Sequence, residues 1–252
     1  TIQRGIFELT TTKIDFTNAN LTYIESDAFY GCNDANAVIL NDNNIGSIRS
    51  YTFRSLKSLN QIYLVNSNVN EIEANAFHDL PKLLDLRLAK NNLTAIRDIY
   101  FRNLSSLLFL DLTNSRVERI ESMAFRDLKN LSVLYLEKNE LKVIQNFAFY
   151  GLSSLDQLLI SNVEFVEERA FDGLLKLRAF YGRENRFNDS MVRIDLSQMP
   201  MTSVVDLRDS NIAELAPFGA SDNLINRMLS RNRIKPLRNR TFYGLVKINS
   251  LD

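Results

Sequence analysis

The side chains best equipped for chemistry in this chain are its single histidine, His78, and its single cysteine, Cys32. A histidine acting as a general base needs a nucleophile or carboxylate within hydrogen-bond reach, and a cysteine nucleophile needs a base to draw off its proton. Neither has such a neighbour in its own motif. In Ala76-Phe77-His78-Asp79-Leu80 the histidine takes an outward place, so a solvated surface residue is expected. Cys32, closing Phe29-Tyr30-Gly31-Cys32, reads as a small buried apolar residue, with an intermolecular disulfide as the alternative. Eight glycines are too few for a phosphate-cradling loop, and no metal-ligand spacing is present. The carboxylates of Glu167 and Glu168, and the group Asp206, Arg208 and Asp209, read as ordinary exposed charge. No enzymatic chemistry, cofactor or metal is expected. The residue types left to act are those of recognition: tyrosine, phenylalanine and arginine.

What positions them is a fixed period. Phe29, Phe53, Phe77, Phe101, Phe125 and Phe149 are each 24 residues from the last, which means one supersecondary unit stacked many times. One period carries Leu83, Leu86, Leu88, Asn91, Leu93, Ile96, Phe101 and Leu104. The place of Leu86 is filled in turn by Ile14, Val38, Ile62, Leu86, Leu110, Leu134, Leu158, Phe180, Val205, Arg227 and Leu251. A leucine pair with period two is a short strand whose neighbours face outward. The strand exits at Asn43, Asn91, Asn139, Asn185 or Asn232, whose amide can satisfy backbone groups of neighbouring turns; an unpaired buried peptide group costs about 1–3 kcal/mol. Ser67, Ser115 and Ser210 take the same place with a smaller hydroxyl. Ala19 and Val163 offer nothing there, so the ladder is expected to be weakest at those two turns. The phenylalanines and closing leucines form a second apolar row on the return path.

This pattern resembles the leucine-rich repeat, and the resemblance implies an α/β-type leucine-rich repeat solenoid. Such a fold is a curved right-handed horseshoe, with short parallel strands on its concave face and irregular or 3-10 return segments on its convex face. Residues 1–252 are expected to form a single domain of about eleven turns, irregular from about 162 to 231. Neither end shows a polar or cysteine-bonded cap, so a fragment of a longer protein is expected. Arg227 in an inward leucine place is expected to distort the stack locally, because a buried charge is expensive.

Thirty basic residues balance thirty acidic ones, which leaves no net field to draw in nucleic acid or an anionic membrane surface. No segment approaches the roughly 18 uninterrupted apolar residues of a membrane span, and Thr1-Ile2-Gln3-Arg4 does not begin a secretory signal. Glycosylation acceptor motifs begin at Asn20, Asn92, Asn103, Asn130, Asn188 and Asn239, and Asn20, Asn92, Asn103, Asn130 and Asn239 are placed outside the strands. They favour a secreted protein or the extracellular face of a cell.

The period breaks twice. Phe171 follows Phe149 by only 22 residues, so part of that turn is missing. Farther on, Ile194-Asp195-Leu196 and Val205-Asp206-Leu207 stand unusually close, and residues 194–201 read as a compressed half-turn tightened by Pro200. Asn185-Arg186-Phe187, Val192-Arg193-Ile194-Asp195-Leu196-Ser197-Gln198-Met199-Pro200, Asp206-Leu207 and Asn211-Ile212 together resemble the broken mid-solenoid of the leucine-rich immune molecules of mosquitoes. That resemblance covers the repeats only. It implies an extracellular recognition or carrier protein of innate immunity, partnered by another leucine-rich repeat protein or a complement-like thioester protein.

On the concave wall the place between the paired leucines runs Asp15, Ile39, Tyr63, Arg87, Asp111, Tyr135, Leu159, Tyr181, Asp195, Asp206, Met228. Two places earlier it runs Lys13, Ala37, Gln61, Asp85, Phe109, Val133, Gln157, Ala179. Adjacent strands are about 5 Å apart. Tyr63, Phe109, Tyr135, Leu159 and Tyr181 should therefore form an apolar stripe beside Asp85, Arg87, Asp111, Arg178 and Arg183. Tyrosine and arginine dominate protein-interface hot spots, so a protein-binding face is expected here. The bland alternative is cross-strand packing of the rings on one another. Among functions, an immune recognition protein, a cell-surface receptor or adhesion ectodomain, and an intracellular scaffold all fit the repeats.

Overall fold

The computed structural model of the chain describes residues 1–3, 10–54, 56–187, 198–213, 226–234 and 250–251. Eleven short strands, numbered in chain order together with six minor ones, build one parallel sheet. They are β1 (Lys13–Asp15), β2 (Ala37–Ile39), β4 (Gln61–Tyr63), β6 (Asp85–Arg87), β8 (Phe109–Asp111), β10 (Val133–Leu136), β12 (Gln157–Ile160), β14 (Ala179–Tyr181), β15 (Val204–Asp206), β16 (Asn226–Met228) and β17 (Ser250–Leu251). Ile14, Val38, Ile62, Leu86, Leu110, Leu134, Leu158, Phe180, Val205, Arg227 and Leu251 pair in one row across all eleven. That row is the one the repeat pattern specifies. The fold is a leucine-rich repeat solenoid, its parallel strands joined by crossovers of the right-handed kind such pairing requires.

The minor strands β3 (Ser47–Ile48), β5 (Glu71–Ile72), β7 (Ala95–Ile96), β9 (Arg119–Ile120), β11 (Val143–Ile144) and β13 (Phe165–Val166) pair two by two along the return path. The rest of that path is turn, with no α-helix among the described residues. The phenylalanines stack nearly face to face, Phe29 on Phe53 on Phe77 and Phe101 on Phe125 on Phe149 on Phe171, with ring centroids 5.5 to 6.4 Å apart. Hydrogen-bonded strands are held about 4.8 Å apart. Each turn is therefore wider on the phenylalanine side than on the strand side, which curves the stack toward its strands. Gly151, at φ 101°, closes one such turn where a Cβ would come within 2.3 Å of the Arg126 backbone.

Arg227 is a correction to the sequence expectation. It is 1% exposed, yet β16 keeps full register with β15 and β17. A three-residue strand is fixed by backbone bonds on both sides, so the long side chain is accommodated in the core rather than by breaking the ladder. Burial lowers its guanidinium to about 10.

Val163 is a second correction. β10 and β12 pair with a spacing of 24 residues, Leu136 opposite Ile160, whereas β11 and β13 pair with a spacing of 22, Ile144 opposite Val166. The two missing residues are thus lost in the bend after β12, and Val163 takes the place of Leu141 rather than that of Asn139. Ser161 stands near the ladder instead, its Oγ accepting from the Lys138 N–H at 2.7 Å. Residues 194–197 of the half-turn expected over 194–201 lie outside the described residues; β14 pairs directly with β15.

Candidate functional site

In the main strands from β1 to β16 the residue of the paired row enters the core and its flanking neighbours face the concave side, giving burial patterns such as exposed–buried–half-buried for β4. The site is built by stacking these outward residues in register. Tyr63, Arg87, Asp111, Tyr135, Leu159, Tyr181 and Asp206 follow one another across adjacent strands, with Gln61, Asp85, Phe109, Val133, Gln157 and Ala179 beside them. Tyr63, Arg87, Phe109, Asp111, Tyr135, Leu159 and Tyr181 are all half-buried.

The first part of the wall is already saturated. The Arg87 guanidinium lies 4.7 Å from the Tyr63 ring centre and 5.2 Å from that of Phe109, and donates to Asp85 at 2.9 Å. The Tyr63 hydroxyl donates to the same carboxylate at 2.9 Å. The hydrogen bond to Asp85 raises the Arg87 pKa, while burial and then Asp85 raise that of Tyr63. These groups pack on one another across the strands, which presets their positions on the wall.

The next ring pair is Phe109 against Tyr135, edge to face at 5.1 Å and 80°. Glu137, one place past the inward Leu136, shares this face, and burial pushes its carboxyl above the ordinary value. Sequence reasoning overlooked Glu137. The signal was present, since the third outward place also yields Arg183 and Arg208.

The far end is ionic. Arg178 pairs with Asp156, which its hydrogen bonds hold below the usual carboxylate range. Asp206 is fully buried and clamped by Arg183 and by Arg208, the latter at 2.9 Å. Burial pushes Asp206 up, but hydrogen bonds from Arg208 and Arg183 outweigh it and leave the carboxyl low. This corrects the reading of Asp206 as ordinary exposed charge: two arginines of adjacent turns cover it.

Outside the wall, Cys32 is buried and its thiol is pushed up by burial. His78 is exposed, edge-on to Tyr51. Asn20, Asn103 and Asn130 are exposed, and Asn130 donates to the Ser105 carbonyl at 2.9 Å. Asn92 is half-buried and donates to the Asn68 side chain. Asn188 and Asn239 lie outside the described residues. Where the strands end, a groove of about 600 Å³ is lined by Asn18, Asp42, Asn66, Lys90, Asn92 and Arg116 among others. Its amides bond to each other along the stack, as Asn66 does to Asp42 at 2.8 Å and Asn68 to Asn44 at 2.6 Å.

Two repeat profiles match along this register: the BspA type leucine rich repeat region, in six copies, over residues 1–108, and the leucine rich repeat over 85–141, 109–165 and 129–187. The chain is a leucine-rich repeat protein. Among solved structures it is similar to internalin C2 of Listeria monocytogenes at 23% identity and a TM-score of 0.61, over 79% of this chain and 83% of that one. It is also similar to the protein of the TLR13-ssRNA13 complex, at 23% identity and a TM-score of 0.74, over 90% of this chain and 34% of that one. Drosophila Toll, in its complex with Spatzle, matches at 20% identity and a TM-score of 0.71, over 88% and 34%. At these identities the likeness is one of fold, and this leucine-rich repeat protein spans about a third of the TLR13 and Toll chains. No curated protein sequence matches it.

Proposed function

We propose that this leucine-rich repeat protein is a non-enzymatic extracellular binding module, a recognition or carrier protein of insect innate immunity that engages a protein through its concave face. The observation that carries the reading is the row of half-buried tyrosine, phenylalanine, leucine and arginine on that face, from Tyr63 and Arg87 through Phe109, Tyr135 and Leu159 to Tyr181, with the exposed Arg183 at its end. Side chains of these types, preset by strand register and by each other, lose little freedom on binding. Charge neutrality supports a protein partner over a nucleic acid. The mosquito-like segment supports another leucine-rich repeat protein or a complement-like thioester protein as that partner. Exposed acceptor motifs at Asn20 and Asn103 support extracellular residence.

The test compares Tyr135→Ala, Tyr181→Ala with the convex control His78→Ala for recovery of partners from the native extracellular fluid, identified by mass spectrometry. The wall variant should lose partners that the control retains, with about 2 kcal/mol or more lost at Tyr135. Equal recovery would move the binding site elsewhere. A second reading, the ectodomain of a cell-surface receptor or adhesion protein, is favoured by the match to a third of Toll. A transmembrane span in the full-length sequence would select it.

A further inference from the structure

We infer that the middle of the concave wall, formed by Asp111, Tyr135 and Glu137, receives a cationic side chain, an arginine or lysine projected by the protein partner. The inference rests on the concave-face reading and adds the chemistry of what enters.

The protein shows how this wall holds a guanidinium. Arg87 sits against the rings of Tyr63 and Phe109 and donates to the Asp85 carboxylate. Two turns on, the same ingredients recur with no arginine in direct ion pair among the described residues: Arg87 stands across the strand pair from Asp111 and Arg183 acts on Glu137 only at longer range. Phe109 fixes the Tyr135 ring edge to face, Asp111 stands directly across the strand pair from Tyr135, and Glu137 lies two residues along the same face. Among the described residues the other carboxylates of the wall are spoken for: Asp15 by Lys13, Asp85 by Arg87, Asp156 by Arg178, Asp206 by Arg183 and Arg208. Asp111 accepts only a local bond from the Thr113 N–H, and neither it nor Glu137 has an ion pair within 4.0 Å among the described residues.

The local charges agree. Burial raises the Glu137 carboxyl; Lys138 and Arg183 pull it back, and Glu184 and Asp111 push it further up. Lys138 and Arg183 outweigh the two acids, so it is burial that keeps the carboxyl high, and a cation seated over Tyr135 would offset that burial. Cation–ring contact strengthens as water is excluded, and charge-assisted hydrogen bonds are the stronger kind.

The probe is a blocked hexa-arginine peptide, with hexaglutamate as the opposite charge, titrated against the whole chain. Wild type should bind hexa-arginine with strong salt dependence, and the Glu137 carboxyl resonance should titrate at lower pH when the peptide is present. Asp111→Asn, Glu137→Gln should weaken that binding at least about tenfold, as expected for lost charge-assisted bonds, while the control Glu118→Gln should not. Unchanged binding in the double variant, or preference for hexaglutamate, overturns the inference. If Tyr135→Ala loses the native partner while Asp111→Asn, Glu137→Gln keeps it with the same salt dependence, the cation inference fails and the concave-face reading stands. If Tyr135→Ala keeps the partner, both fail.

Discussion

Asp206 and Glu137 sit within a few turns of each other, and their surroundings push them in opposite directions. Asp206 is buried but held by two arginines, so its folded-state pKa lies below its ordinary 3.8. A depressed carboxyl contributes stability that is present above the unfolded value and lost as pH falls through the folded one. Asp206→Asn should therefore cost about 2 kcal/mol at neutral pH, the range for hydrogen bonds to charged groups, and the difference from wild type should vanish in acid. Denaturant melts at pH 7 and below 3.8 check this. Glu137 runs the other way. Its folded pKa is raised above the ordinary 4.5, so the folded state holds its proton longer, and stability falls as pH rises through the window just above 4.5. Glu137→Gln should remove that fall; melts across the window that keep the wild-type slope would contradict it.

Between neighbouring turns, the ladder is stronger than its sequence suggests because each asparagine serves two turns. Asn91 Oδ1 accepts from the N–H groups of Ser67 and Val69, at 3.1 and 2.9 Å, while its Nδ2 donates to the carbonyls of Leu64 and Leu88, both at 2.8 Å. Asn139 and Asn43 do the same two periods away on either side. The turns between carry a smaller residue, in the alternation Ala19, Asn43, Ser67, Asn91, Ser115, Asn139, and the Ser67 and Ser115 hydroxyls each donate a single bond to the preceding turn, to the carbonyls of Leu40 and Leu88. At Ala19 the backbone N–H is still satisfied, by Asn43 at 3.1 Å, but the side-chain bond that Ser67 and Ser115 add is missing. Asn91→Ala should destabilise more than Ser115→Ala, by roughly 1–3 kcal/mol for each backbone group left unpaired. Comparable losses in denaturant melts would show that the asparagines do not span turns. In the phenylalanine stack, Phe125→Ala removes a ring packed against both Phe101 and Phe149 and should cost about 3–5 kcal/mol. Unchanged melting and hydrogen exchange around β8 and β10 would remove the stack from the core.

For the molecule as a whole, the period made the fold legible, because one register satisfied by ten inward apolar residues and Arg227 leaves little choice of stacking. The outward tyrosines were legible for the same reason: alternation fixes their face. Which of them are already occupied was not. The enclosure of Arg87 by two rings and of Asp206 by two arginines depends on side-chain reach across turns, which spacing along the chain does not encode. The lost residues after β12 were misplaced because the strand and return-path registers slip separately there. The account stands or falls on the concave wall, and the direct measurement is hydrogen–deuterium exchange of the chain with and without a partner recovered from extracellular fluid. Binding should slow exchange in and just after β4, β8, β10, β12 and β14, around Tyr63, Phe109, Tyr135, Leu159 and Tyr181. Slowing confined to the convex turns around Arg102, Arg126 and Tyr150, with the wall unchanged, would contradict it.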